Sequence, residues 1–227
     1  MRIFRLAFVI ILVVLIAFAH RSGSTVRRTS ASLNKTVLID PGHGGEDGGT
    51  SAVDGTLEKT INLAIALDLR DVLTLFGISV EMTRDEDISI HDADCSGARQ
   101  MKVSDMNNRL KLYNAAAMTV SIHQNHFSVS KYNGTQVFYS ATHPLSAQLA
   151  ASVRERVITH IQPENKRELK QATDSIFLLY RTTKPAILVE CGFLSHPQES
   201  DKLKQTDYQK QMALAIAGGL LDVYQCE

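Results

Sequence analysis

The chain is poor in cysteine: three in 227 residues, Cys95, Cys191 and Cys226, far apart in sequence. That is too few for a disulfide framework, so small stapled scaffolds are excluded and all three read as free thiols. Cys191 follows an apolar run, where an unpaired cysteine serves as a small buried hydrophobe. Charge of one sign is missing as well. Lys and Arg number 24 against 24 Asp and Glu, and no basic block interrupts the domain. Nucleic acid therefore has no electrostatic footing here. No internal repeat appears. The apolar run Leu6 to Ala19 is shorter than the roughly 20 residues that a membrane-spanning helix needs.

That run follows Arg2 and Arg5 and ends in Ala17-Phe18-Ala19, a small-x-small pattern. It reads as a signal-peptide core or an uncleaved N-terminal anchor over residues 1–19. Arg21, Arg27 and Arg28 just beyond it blur the positive-inside signal. His20 to Lys35 is polar, basic and rich in Ser and Thr, as flexible linkers are. Contact with a membrane is then confined to the N-terminal segment, and residues 36–227 leave one domain with a single core.

Within that domain strands and helices alternate. Leu57 to Phe76 places apolar residues at helical spacing, with Thr56 as cap and Gly77 as stop. Strand patterns cover Ile78 to Thr83 and Thr135 to Tyr139; helices are expected over Asp105 to Ala117, Pro144 to Ile161 and Tyr208 to Tyr224. The fold class is three-layer α/β, a mainly parallel twisted sheet with helices on both faces.

Three strand ends carry chemistry. Val37-Leu38-Ile39-Asp40-Pro41-Gly42 leads to His43, Thr119-Val120-Ser121-Ile122 to His123, and Ala186-Ile187-Leu188-Val189 to Glu190. Parallel strands put such residues on one rim, where open α/β sheets bind ligands. A fourth, Glu58, lies beside the buried face of the first helix. Two His and two Glu on one edge point to a metal site with a base beside it. Taken singly, each has a plainer reading. Glu58 suits the positive end of a helix dipole, and Glu190 suits a structural ion pair with Arg84 or Arg181.

Asp40-Pro41-Gly42-His43-Gly44-Gly45, then Glu58, then Ser121-Ile122-His123-Gln124-Asn125, then Leu188 to Glu199 together resemble the zinc N-acetylmuramoyl-L-alanine amidases. These enzymes cut peptide stems from bacterial cell-wall glycan. The likeness runs from about Lys35 to the C-terminus. It implies zinc bound by His43, Glu58 and His123, and Glu190 as the catalytic acid/base. The substrate implied is peptidoglycan, cut between N-acetylmuramic acid and L-alanine. With a short leader, a single domain, no wall-binding repeat and a polar insert from Ile88 to Ser104, the chain looks most like the CwlD-type amidases of endospore formers. That subgroup implies a role in spore-cortex maturation, a downstream deacetylase partner, and export to the cell wall or the intermembrane space of a forming spore. Two other readings remain open at this point: a zinc peptidase acting within the stem, and a non-catalytic wall-binding module.

Several neighbours of these motifs carry readings of their own. Asp40 or Asp47 can accept the second N–H of a ligating imidazole, or else Asp40 caps the Pro-Gly turn and Asp47 is solvated. Arg109 and Asn114 match residues on the family's helix before the second His strand and read as structural. His126 stands where the family has a small residue and reads as a solvent-facing side chain, with the cleft as alternative. His196 replaces a frequent Asn. His91, His143 and His160 read as surface residues.

Overall fold

The computed structural model describes residues 36–224, which form one compact unit. The leader, the linker and Cys226 lie outside the described residues. Among those described, no helix is long and apolar enough to cross a membrane.

Six strands form one sheet: β1 (Val37–Pro41), β2 (Val80–Met82), β3 (Met118–Asn125), β4 (Gln136–Tyr139), β5 (Lys170–Gln171) and β6 (Ala186–Phe193). Their order is β2-β1-β3-β6-β4-β5. The first four of that order run parallel, while β4 lies antiparallel to β6 and carries β5 along its other side. The central strands β1, β3 and β6 are covered on both faces, which is why their sequences are continuous apolar runs.

The pleat sorts their side chains. Val37, Ile39, Val120, Ile122, Ile187 and Val189 point into the larger core. That core lies beneath α1 (Glu58–Leu75), α3 (Leu145–His160) and α6 (Thr206–Tyr224). Leu38 and Leu188 point the other way, to Tyr113 of α2 (Ala98–Ala115) and Leu178 and Leu179 of α4 (Phe177–Arg181). With a period of two, Asp40, Ser121, His123 and Glu190 belong to this second face. The register sets His123 opposite Glu190 on adjacent strands.

α1 begins at Glu58, and its N-cap is Leu57, which makes no side-chain cap bond; Thr56 does not cap it as expected. The first turn is held instead from Glu58 N to Thr50 O at 2.8 Å. Gly77, with φ +77°, ends the helix as anticipated. α2 starts seven residues before the expected Asp105, so the end of the polar insert is helical. Its buried positions are Ser104, Asp105, Arg109 and Tyr113, a polar stripe that apolar periodicity does not reveal. β5, α4 and α5 (Pro197–Leu203) are too short to leave a periodic signal.

Candidate metal centre

β1 delivers its chain to the carboxyl edge of the sheet, and there the backbone is unusual. His43 has φ +64°, the left-handed region that a residue with a Cβ rarely occupies. Two buried guanidinium groups hold it there. Arg84 donates from Nε to His43 O (2.7 Å) and Pro41 O (3.0 Å), and from Nη2 to Gly42 O (3.0 Å) and Lys59 O (3.0 Å). Arg109 donates from Nη1 to Pro41 O (3.1 Å) and from Nη2 to His43 O (2.8 Å). Desolvation lowers Arg84 to about 10, so this residue binds carbonyl dipoles at a cost in its own charge.

Arg109 is balanced by carboxylates. It pairs with Asp40 through Nη1, and its Nε donates to Asp105 Oδ2 at 2.7 Å. Asp40 also accepts from Thr83 Oγ1 (2.7 Å), Tyr113 OH (2.6 Å) and Ser121 Oγ (2.9 Å). Burial pushes the Asp40 carboxyl up. The Arg109 charge and the hydroxyl donors outweigh it and bring it down to about 2. Asp40 therefore neither caps the turn nor meets the His43 imidazole. Its acceptor positions are taken by groups just past β2 and on α2 and β3, so it acts on the loop through Arg109.

Glu58, His43 and His123 converge, with one donor atom from each lying within 4.8 Å of the others. Glu58 Oε1 accepts from His123 Nδ1 (2.9 Å), Gln124 N (3.0 Å) and Asn62 Nδ2 (3.2 Å); Oε2 accepts from Thr50 N (2.9 Å) and lies 3.2 Å from His43 Nε2. Burial pushes this carboxyl up, but the two imidazoles hold it well below the usual carboxylate range. His43 is pushed down by burial and lifted to about 9 by Asp47 and Glu58. Asp47 Oδ2 sits 2.9 Å from His43 Nδ1, an ion-pair distance without hydrogen-bond alignment. Lys102 of the insert pairs with the same oxygen. Of the two aspartates considered for this position, the structure therefore brings Asp47 to the imidazole.

The approach of these groups depends on glycine. A Cβ on Gly42 would stand 2.2 Å from the His123 ring, and one on Gly49 would stand 2.5 Å from Glu58 Oε2. The sequence shows these glycines but not what they make room for. Asn62, Arg84, Tyr113 and Lys102 join the site from outside its sequence motifs. Asn62 alone had a local signal, one helical turn after Glu58 on the same face.

Glu190 reaches neither arginine considered as its partner. Arg84 is engaged by the loop carbonyls, and Arg181 lies exposed at the end of α4. The residue is half-buried, yet its Oε2 is sealed from water and without a hydrogen-bond partner. Burial raises the carboxyl to about 7; the Glu58 charge adds to this, and the His123 charge opposes it. A cavity of about 250 Å³ opens beside it, lined by His43, His123 and Glu190 together with the apolar Ile176, Phe177 and Leu188.

The remaining candidates lie outside this cluster. His126 is exposed just past β3, and His160 is exposed in the last turn of α3. His196 caps α5, accepting from Glu199 N at 3.2 Å, a role that an asparagine oxygen fills equally well. His91 and His143 are half-buried with local partners, Ser89 Oγ and Leu145 N. Asn114 accepts from Thr183 N at 2.9 Å and braces the approach to β6. Cys191 is buried, and burial drives its thiol far up, which makes it unreactive.

Two imidazoles and an ionised carboxylate close enough to share one ion, with a carboxyl raised to about 7 beside them, make a possible metal site at the edge of an α/β sheet. The family model for N-acetylmuramoyl-L-alanine amidases matches residues 37–222, and the chain belongs to that family of bacterial cell-wall enzymes. It is 35% identical over 222 residues to the germination-specific N-acetylmuramoyl-L-alanine amidase of Bacillus subtilis, covering 93% of this chain and 90% of the relative. The solved structure of the CwlD amidase from Clostridioides difficile in complex with the GerS lipoprotein is similar at a TM-score of 0.81 and 37% identity. It covers 86% of this chain and 100% of that one. Another N-acetylmuramoyl-L-alanine amidase, from Clostridium difficile 630, gives 0.74 at 30% identity, with 86% and 98% covered.

The buried Asp40–Arg109 pair makes stability depend on pH. Asp40 is depressed from 3.8 to about 2, so its contribution is complete above pH 3.8 and is lost as pH falls through about 2. The loss expected for this group is about 2 kcal/mol. Asp40→Asn leaves Arg109 buried with one charge partner fewer and should cost about 3–5 kcal/mol at neutral pH. Denaturant titrations across acidic pH should show a shallower acid slope in the variant. Equal slopes would remove Asp40 from this account.

Proposed function

We propose that the protein is a zinc-dependent amidase of the spore cortex, in which His43, Glu58 and His123 hold the metal and Glu190 moves the proton. The observation that carries this reading is the pairing, at one sheet edge, of a fully ionised Glu58 with Glu190, whose buried Oε2 has no hydrogen-bond partner and whose carboxyl is raised to about 7. Environments that push two carboxyls of one site apart in acidity are how acid/base roles are divided. The donor set fits zinc: two imidazoles and a carboxylate close together, two of them held by second partners, Asp47 for His43 and Asn62 with backbone N–H groups for Glu58. Zinc, when bound, supplies Lewis-acid polarisation of the amide carbonyl and a more acidic water.

The chain's own residues do the rest. Glu190, ionised near neutral pH, takes a proton from the attacking water and returns it to the alanine nitrogen as the C–N bond breaks. One carboxyl serves as base and then as acid, and a value near 7 suits both steps. Ile176, Phe177 and Leu188, apolar side chains of the same cavity, reduce the water around the reacting groups.

The cortex role draws support from likeness to a germination-specific amidase and to the CwlD amidase, the latter solved with a lipoprotein. A deacetylase acting on the stripped muramic acid would be the partner in sequence. Residues 1–19 act as leader or anchor, 20–35 as linker and 36–227 as catalytic domain. The domain works outside the cytoplasmic membrane, where its substrate lies. A reporter that is active only after export, fused past Lys35, should be active; a cytoplasmic signal contradicts the topology.

On the metal, His43→Ala or His123→Ala should lower zinc content and activity together. His43 has to release a proton on binding, so zinc affinity in the wild type should strengthen with pH below about 9. Full zinc occupancy in either variant, by elemental analysis, refutes the ligand set.

On the base, Glu190→Gln preserves volume and leaves the donor cluster intact. It should retain zinc and lose about 10²–10⁴-fold in turnover. Wild type should release free L-alanine amines from muropeptides and create no new reducing sugar ends. Near-normal turnover by the zinc-loaded variant rules Glu190 out, and cleavage elsewhere in the stem favours the peptidase.

A further inference from the structure

We propose that the loop joining β3 to β4 is a sugar-binding subsite, in which Phe127 and Tyr132 stack against the glycan strand that carries the scissile amide. The inference rests on the amidase reading and extends it to a surface outside the donor cluster. Phe127, Val129 and Tyr132 are 44%, 47% and 40% exposed within one short stretch. The Phe127 and Tyr132 rings meet edge to face at 5.3 Å, and Phe127 rests on the buried Phe193 ring at the same separation.

This exposed apolar tip is anchored by polar groups from elsewhere in the chain. Phe127 N donates to Ser195 Oγ (3.1 Å), Gly134 N to the Glu199 carboxylate (2.9 Å), Arg167 Nε to Asn133 O (2.6 Å) and Asn165 Nδ2 to Thr135 O (2.9 Å). Anchoring of this kind presents aromatic rings at a fixed place, and a contiguous apolar patch held in water marks an interaction site.

Position and chemistry select the occupant. Phe127 lies four residues past His123 on the edge that carries Glu190, at most about 13 Å along the chain. The hydrolysed amide hangs from a sugar ring, so the polymer has to pass within a sugar or two of the donor cluster. Hexosamine rings offer an apolar C–H face to an aromatic ring and hydroxyls around their rim. His126, exposed beside Phe127, and Lys131, with Nζ 5.4 Å from the Tyr132 ring centre, supply polar groups for that rim.

The test compares zinc-loaded wild type and variants on a single muramyl-peptide and on a stem-bearing glycan of several disaccharides. Wild type should favour the strand. Tyr132→Ala and Phe127→Ala should lower the strand-to-monomer ratio of kcat/KM about tenfold, through KM. Phe127→Tyr keeps the face and the packing on Phe193 and should preserve the ratio, whereas Tyr132→Leu should not. Stem-free glycan should sediment with Glu190→Gln protein and not with the Glu190→Gln, Tyr132→Ala double variant. Should Phe127→Ala fail to fold, Tyr132→Ala at the exposed end decides alone. An unchanged ratio in the alanine variants overturns the proposal. Wild-type behaviour of Tyr132→Leu overturns it too, and marks the patch as cover for a protein partner. Failure of the amidase reading looks different: wild type then frees no L-alanine amine from either substrate.

Discussion

The structure depends on how two buried guanidinium groups are answered. Arg84 and Arg109 reach the carbonyls of Pro41, Gly42 and His43 from two different elements, the segment after β2 and the middle of α2. A left-handed histidine costs on the order of 1 kcal/mol or more and persists only where its surroundings over-determine it. Here His43 O accepts from both arginines at under 3 Å. The conformation that turns the imidazole toward Glu58 is thus imposed by the two arginines through the backbone carbonyls. Buried cations need anions, and Asp40 and Asp105 answer Arg109 from β1 and α2. The loop, α2 and the sheet are joined by one charge network.

The same environment separates the carboxyl groups. Asp40 and Glu58 are buried among cations or N–H donors and are held ionised; Glu190, close by, is buried without a directed donor and is raised to about 7. Desolvation acts upward on all three, so the difference lies in their partners. Parallel pairing makes this possible. It sets His123 and Glu190 side by side on neighbouring strands, which brings base and imidazole together without crowding the base's own oxygen.

The apolar strand runs made the sheet legible from sequence, because buried parallel strands leave an uninterrupted β-branched signature and end where chemistry begins. His43, His123 and Glu190 follow such runs, and the structure brings them to one edge with Glu58. Arg109 reads as structural from its match to the family, and its internal hydrogen bonds agree, but its partners were not legible. Asp105 and Tyr113 share its polar stripe on a buried helix face, and sequence periodicity assigns such residues to solvent. Arg109 meets Asp40 across 69 positions of chain, a pairing that no local pattern encodes. That Asp47 and not Asp40 meets the imidazole was hidden for the same reason: which one faces it depends on the backbone turn at His43, and that turn is set by distant arginines.

The polar insert from Ile88 to Ser104 has a part in this arrangement. Ser89 Oγ and Ile90 N donate to Asp105 Oδ1, leaving Oδ2 to Arg109. Lys102, from the helical end of the insert, pairs with Asp47, which lies against His43. Just before the insert, Asp87 accepts from Gly45 N at 3.0 Å and pairs with Lys59 at 2.8 Å. The segment therefore braces the His43 loop from outside while the two arginines fix it from within. Outer contacts such as Lys102–Asp47 are half-exposed and individually weak. The inner ones are buried and strong. Geometry at the donor cluster is accordingly set by the core network, and the insert adjusts how His43 is held without determining where it stands.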